Sequence, residues 1–112
     1  MIFTRGMIFE RPLFDGVQRL YRFDNGYGAI VTRHLGSYGG PRGLWEVAVI
    51  VWNSVNNGWD LCYSTPITDD VIEYLEEDQV NTVLSFIEKL NGSGEFNNDE
   101  DARAWEKFSD EL

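Results

Sequence analysis

Apolar positions along the chain change period part-way, dividing it into a strand region and a helical region. From Val17 to Asp24 the pattern alternates, with Arg19, Tyr21 and Phe23 on one face and Leu20 and Arg22 on the other, the spacing of a strand. Asn25-Gly26 then fits a two-residue type I′ hairpin turn, whose central positions need positive φ. Tyr27 to Arg33 returns as its partner, with Tyr27, Ala29 and Val31 on one face and Ile30 and Thr32 on the other. Leu44 to Asn53 is apolar on both faces apart from Glu46, as in a strand covered on both sides, by helices or aromatics. Asn57-Gly58 marks another turn, and Trp59 to Tyr63 the strand that leaves it. Before these, Met1-Ile2-Phe3 and Met7-Ile8-Phe9 are near-duplicates around Gly6. They read as one strand with an irregularity, or as two alternative translation starts that would make residues 1–6 dispensable. Arg11-Pro12 is expected to end that strand, because proline cannot donate to a ladder, and Asp15-Gly16 is a turn signal.

Beyond Thr65-Pro66 the period lengthens. Thr68 is a good N-cap ahead of Asp69 and Asp70, and Val71, Ile72, Tyr74 and Leu75 are expected to form one short helix. Glu76-Glu77-Asp78 opens a second, with Gln79 completing a capping box if Glu76 is the cap. Val80, Val83, Leu84, Ile87 and Leu90 make its amphipathic stripe, and Asn91-Gly92 stops it. Asn91 to Gly94 reads as a flexible joint, after which Asn98 caps a final helix edged by Trp105, Phe108 and Leu112. That edge either packs on the domain or waits for a partner. The pattern predicts an α+β fold: an antiparallel β-meander of four to five strands, one face covered by C-terminal amphipathic helices. Residues 1–92 form the domain, and 93–112 the joint and acidic helix.

Composition changes this picture in one respect. The 112 residues suit a single domain, but the net charge of −10 is unevenly placed. Residues 1–68 hold six arginines against five acids, whereas residues 69–112 hold fourteen acids against Lys89, Arg103 and Lys107. The acidic half disfavours direct nucleic-acid or anionic-membrane binding, which need a basic footprint, and suits a partner with a basic surface. Cys62 is the only cysteine, which excludes an intrachain disulfide and points to a reducing compartment. With one cysteine and one histidine, a zinc site of the usual type within the chain is excluded. No secretory leader or membrane span is expected, and the chain reads as cytosolic.

Four motifs in order carry a family resemblance. They are Arg22-Phe23-Asp24-Asn25-Gly26-Tyr27-Gly28-Ala29, Ser37-Tyr38-Gly39-Gly40, Gly43-Leu44-Trp45-Glu46-Val47-Ala48-Val49 and Thr65-Pro66-Ile67-Thr68-Asp69-Asp70-Val71. From about Leu20 to Asn91 the chain resembles a group of small, mostly uncharacterised proteins of tailed bacteriophages, which read RFPNGYGASV, YGG, GLxExAV and CYDTPITDDV. The resemblance implies a phage setting and the host cytoplasm, not an activity. Asp24 replaces the proline of that pattern, Ser64 its aspartate, and Trp52 to Trp59 is longer than its turn.

Candidate chemistry falls in three places. The Gly36–Gly43 loop with Arg33, His34 and Arg42 could hold an anion, or His34 could act as a base, but a strand follows the glycines and neither a P-loop nor a dinucleotide motif is met. A mobile hairpin loop is the simpler reading. Trp52, Trp59 and Trp105 are candidate partner-binding aromatics, with cross-strand packing the alternative. Asp69, Asp70, Glu73, Glu76, Glu77 and Asp78 form the densest acidic row, with Asp99, Glu100 and Asp101 a second. Such rows are usually solvated faces, but carboxylates along a helix can also imitate a nucleic-acid backbone. The expectation is a non-enzymatic phage accessory protein, without cofactor or metal and open to self-association, that binds and modulates a host or anti-phage defence protein, with inhibition the favoured sense, through the acidic helical face, the aromatic hairpin or both. A small anion-binding protein or enzyme, or a minor virion component, is the alternative.

Overall fold

The computed structural model describes residues 2–33 and 42–112. Six strands and two helices follow in the order β1 (Met7–Leu13), β2 (Gly16–Arg22), β3 (Tyr27–Arg33), β4 (Trp45–Asn53), β5 (Gly58–Leu61), β6 (Val71–Leu75), α1 (Glu77–Glu88) and α2 (Asp99–Asp110). All pairings are antiparallel, and β1 to β5 lie in sequence order across one sheet. The α+β class is as expected. The sixth strand is not.

Residues 71–75, expected as a short helix, form β6 and pair with the first half of β4, Ala48 opposite Val71 and Val47 opposite Ile72. The second half of the same β4 edge pairs with β5, Ile50 opposite Leu61 and Trp52 opposite Trp59. One nine-residue strand thus divides its edge between two short ones. Val-Ile-Glu-Tyr-Leu is rich in β-branched and aromatic residues. Here those preferences and the ladder to β4 prevail over the Thr68-Asp69-Asp70 helix signal. Thr68 caps a turn instead, its Oγ1 accepting from the Asp70 N–H at 3.1 Å.

The core lies on one face. Tyr21 opposes Ala29, which opposes Val49, and Val31 opposes Val47 in the next row, so these side chains share a surface. Helix α1 covers it with Val80, Val83, Leu84 and Ile87, all fully buried. The Glu76–Gln79 capping box is present, with the Glu76 N–H donating to Gln79 Oε1 at 2.8 Å.

Three local expectations are corrected. Strand β1 runs through Pro12, which pairs opposite Val17; β1 is an edge strand, where proline is tolerated. The Asn25-Gly26 turn is not type I′, because positive φ falls on Gly26 (90°) and not on Asn25. The Gly26 N–H reaches back to Phe23 O, and Asn25 points its Nδ2 at Ile87 O (2.9 Å) and Leu90 O (2.8 Å), satisfying carbonyls at the end of α1. Residues 2–6 lie outside β1 instead of forming one strand with it. The Phe3 N–H donates to Asn81 Oδ1 at 3.0 Å, and the Tyr21 hydroxyl donates to Phe3 O at 2.7 Å. The Phe3 ring meets Tyr21 and Phe23 edge-on.

Candidate partner-binding surface

The sheet brings the chain's charged residues to two contrasting places. On the β1 side they are drawn inward. Arg19 projects from β2 onto the core face and is only 3% exposed. It donates to Glu10 of β1 at 3.0 Å, and twice to Glu77 in the first turn of α1, at 2.9 and 3.0 Å. The guanidinium groups of Arg19 and Arg33 both lie over the Trp45 ring, 4.1 and 4.4 Å from its centroid. Burial by itself would lower the Arg19 pKa, but its bonds to Glu77 and Glu10 outweigh that and hold it above the usual arginine value. Glu77 therefore serves the fold, joining α1 to the sheet.

On the β6 side the acids point outward. Asp69 and Asp70 are exposed in the bend before β6, Glu73 is part-exposed on the strand, and Glu76 and Asp78 are exposed at the start of α1. Among the described residues none of these five carboxylates forms an ion pair. The row expected along helices is instead wrapped around a strand edge and the helix start that follows it. A bulge interrupts β6, because two residues, Glu73 and Tyr74, stand where β4 has one. Tyr74 takes a left-handed backbone (φ 60°), rare for a bulky residue, and is half exposed, with Arg42 5.4 Å above its ring. Beside the strand lies a cleft of about 500 Å³, lined by residues 71–75, Gln79 and Leu112. The outer edge of β6 has no strand partner among the described residues.

The second acidic row starts α2. Asn98 caps that helix by accepting from the Asp101 N–H at 2.8 Å, with Asp99, Glu100 and Asp101 in its first turn. Trp105, expected at an interface or on the domain, packs on the domain. It is 5% exposed, meets Phe86 and Phe108, and donates its indole N–H to Pro66 O at 2.9 Å. The 91–94 joint is a hydrogen-bonded turn. Asn91 O accepts from Gly94, Asn91 Oδ1 accepts from Ser93, and Leu90 bridges to Phe96.

The two hairpin tryptophans differ. Trp52 is half-buried and anchored, its indole N–H reaching Tyr21 O at 3.0 Å across the space left by Gly28, where a Cβ would lie 2.0 Å from that oxygen. Arg22 covers its ring and bonds Asn57. Trp59 is 40% exposed and lies beside exposed Leu61 and Tyr63. Of the anion-binding candidates, Arg33 stacks on Trp45, Arg42 is exposed beside Tyr74, and His34 lies outside the described residues with positions 36–41 of the glycine loop. Among the described residues no three His, Cys, Asp or Glu side chains are grouped to hold a metal ion, and no helix is long and apolar enough to cross a membrane.

Neither the β6 edge nor the Arg19 network is among the sites expected from the sequence. A signal for the first was present: five residues are short for a helix, and Val71-Ile72 begins them with two β-branched side chains. Phe14, at the β1–β2 turn with φ 55° and 88% exposed, is a further exposed aromatic outside the expected sites. Comparison of the chain with protein-family models, curated proteins and solved structures found no match.

Proposed function

We propose that this chain is a non-enzymatic binding protein that engages and modulates a basic surface of another protein through the acidic margin formed by residues 69–78. The phage resemblance gives the setting: an accessory protein acting on a host or defence protein in the host cytoplasm. One observation carries the reading. The carboxylates of Asp69, Asp70, Glu73, Glu76 and Asp78 are ion-paired to none of the described cations, whereas Arg19 is neutralised from two directions. Carboxylates of one sign left in water steer a cationic partner and set its orientation more than they stabilise the fold.

The test is a tagged pull-down from infected cells across a salt series, using the natural chain and an Asp69→Asn, Asp70→Asn, Glu73→Gln variant. The expected partner is captured by the natural chain, is released steeply with salt, and is lost in the variant. A second reading rests on exposed Trp59, Leu61 and Tyr63, because aromatics dominate interface hot spots. A complex indifferent to salt and lost on Trp59→Ala would replace the first reading with the second.

A further inference from the structure

The feature that goes furthest is the outer edge of β6 together with the cleft beside it. Resting on the acidic-margin reading, we propose that β6 accepts an extended, basic segment of a partner as an added strand. Three independent properties meet there. First, β6 pairs with β4 on one side and with no strand on the other among the described residues. Alternate backbone N–H and C=O groups of such an edge are left for another chain to pair. Second, the cleft of about 500 Å³ follows the same five residues and continues to Gln79 and Leu112. Every second side chain of an added strand would enter it, the usual division between backbone affinity and side-chain selection in strand addition. Third, the edge is flanked by Asp69 and Asp70 at its start and carries Glu73 within it.

These properties select the occupant. A second copy adding through its own β6 would bring two sets of Asp69, Asp70 and Glu73 to one edge, and like charges held close together repel. A segment with lysine or arginine at alternate positions meets the opposite situation. The Tyr74 bulge limits the reach of the pairing. It displaces the ladder at Glu73–Tyr74, and Arg42 covers the Tyr74 ring there. The added strand therefore pairs mainly along residues 71–73, with its basic side chains toward Asp69 and Asp70 and away from Arg42. Apolar side chains between them face Ile72, Leu75 and Leu112 in the cleft.

The experiment uses the full chain and a ten-residue peptide of alternating lysine and valine. Two further peptides serve as controls, one N-methylated throughout and one with glutamate in place of lysine. Titrations followed by amide NMR and hydrogen exchange are expected to place the lysine peptide on β6. Those amides of residues 71–73 that face away from β4 should gain protection, with binding at least tenfold tighter than for either control. Equal binding of the methylated peptide would overturn strand addition, since that peptide keeps the charge and loses the backbone donors. Equal binding of the glutamate peptide would overturn the charge selection. Absence of binding by all three would overturn the inference, while the salt-series pull-down decides the broader reading separately. Protection appearing on β1 instead of β6 would also overturn it.

Discussion

The two edges of the sheet are built from similar materials and treat charge in opposite ways. Edge β1 carries Glu10 and Arg11, with Arg5 just before it, and each has an internal partner: Arg19, Gln18 and Glu88 respectively. Edge β6 carries Glu73, with Asp69 and Asp70 just before it, and none of these pairs with a described cation. The difference follows from what lies behind each edge. Behind β1 the arginine of β2 has a place between two carboxylates and an indole. Behind β6 the facing β4 residues are Trp45, Val47 and Ala48, which offer no cation. Net charge alone therefore says little about function. The informative quantity is the charge left over after the fold has taken its share.

The strongest way to break the comparison is to remove the cation on which the β1 side depends. Arg19→Ala leaves Glu10 and Glu77 without their partner and takes away a group stacked on Trp45. It should cost about 3 kcal/mol, the low end for a broken buried pair because both carboxylates are partly solvated. Urea unfolding followed by tryptophan fluorescence measures it, and a loss under about 1 kcal/mol would mean that the network contributes little. Next in size is a chain that starts at Met7. It loses the Phe3 ring from the Tyr21–Phe23 cluster and two hydrogen bonds of the Phe3 backbone, its N–H donating to Asn81 Oδ1 and its carbonyl accepting from the Tyr21 hydroxyl. Burial of one aromatic side chain sets the cost at about 2 kcal/mol, read in the same unfolding experiment. An unchanged midpoint would show residues 1–6 to be dispensable after all.

A smaller effect, with its own pH signature, is expected of Tyr21→Phe. The hydroxyl donates one hydrogen bond to Phe3 O, worth about 1 kcal/mol at neutral pH. Burial also raises the Tyr21 pKa above its usual value. A raised pKa means that the folded state holds the phenolic proton more tightly than the unfolded chain does. That contribution is complete below the unfolded value of about 10 and is lost as pH rises through the folded value. The stability gap between the natural chain and Tyr21→Phe should therefore shrink above about pH 10, where unfolded tyrosine ionises. A gap constant to pH 11.5 would contradict the burial. Tyr27, raised by burial as well, remains in both proteins and cancels.

Much of the sheet was legible because β2 and β3 alternate over seven residues each, long enough to fix which side chains face α1, and because β4 is a nine-residue apolar run rich in β-branched residues. Helix α1 was equally clear from its apolar stripe. What the sequence did not reveal were choices settled by tertiary partners. Thr68-Asp69-Asp70 is a sound helix start by local chemistry, and only the vacant half of the β4 edge makes a strand of the next five residues. Asn25-Gly26 has the composition of one turn and adopts another because the Asn25 amide is engaged by carbonyls sixty residues away. Trp52, Trp59 and Trp105 are alike on paper; backbone oxygens of Tyr21 and Pro66 claim the first and the last, leaving Trp59 outward. Acidic candidates behave the same way, since Glu77 is taken by Arg19 and Glu76 by the capping box of α1, while Asp78 is left exposed.

The smallest stability effect is the one that sharpens the comparison most. Asp69→Asn, Asp70→Asn and Glu73→Gln together remove three negative charges from a chain of net charge −10. Asn and Gln nearly preserve shape, and the turn bond from the Asp70 backbone N–H to Thr68 does not use the carboxylate. Surface changes of this kind shift stability by less than about 0.5 kcal/mol, and relief of like-charge repulsion biases the shift toward a gain. The natural β6 edge would then be holding charge that the fold does not need, the mirror image of β1, where Arg19→Ala costs about 3 kcal/mol. Thermal unfolding at low and at high salt decides between the two. A small gain that vanishes in salt supports the division of labour, because exposed repulsion is screened. A loss approaching that of Arg19→Ala would place these acids in the service of the fold, and the β6 edge would no longer be the surface to pursue.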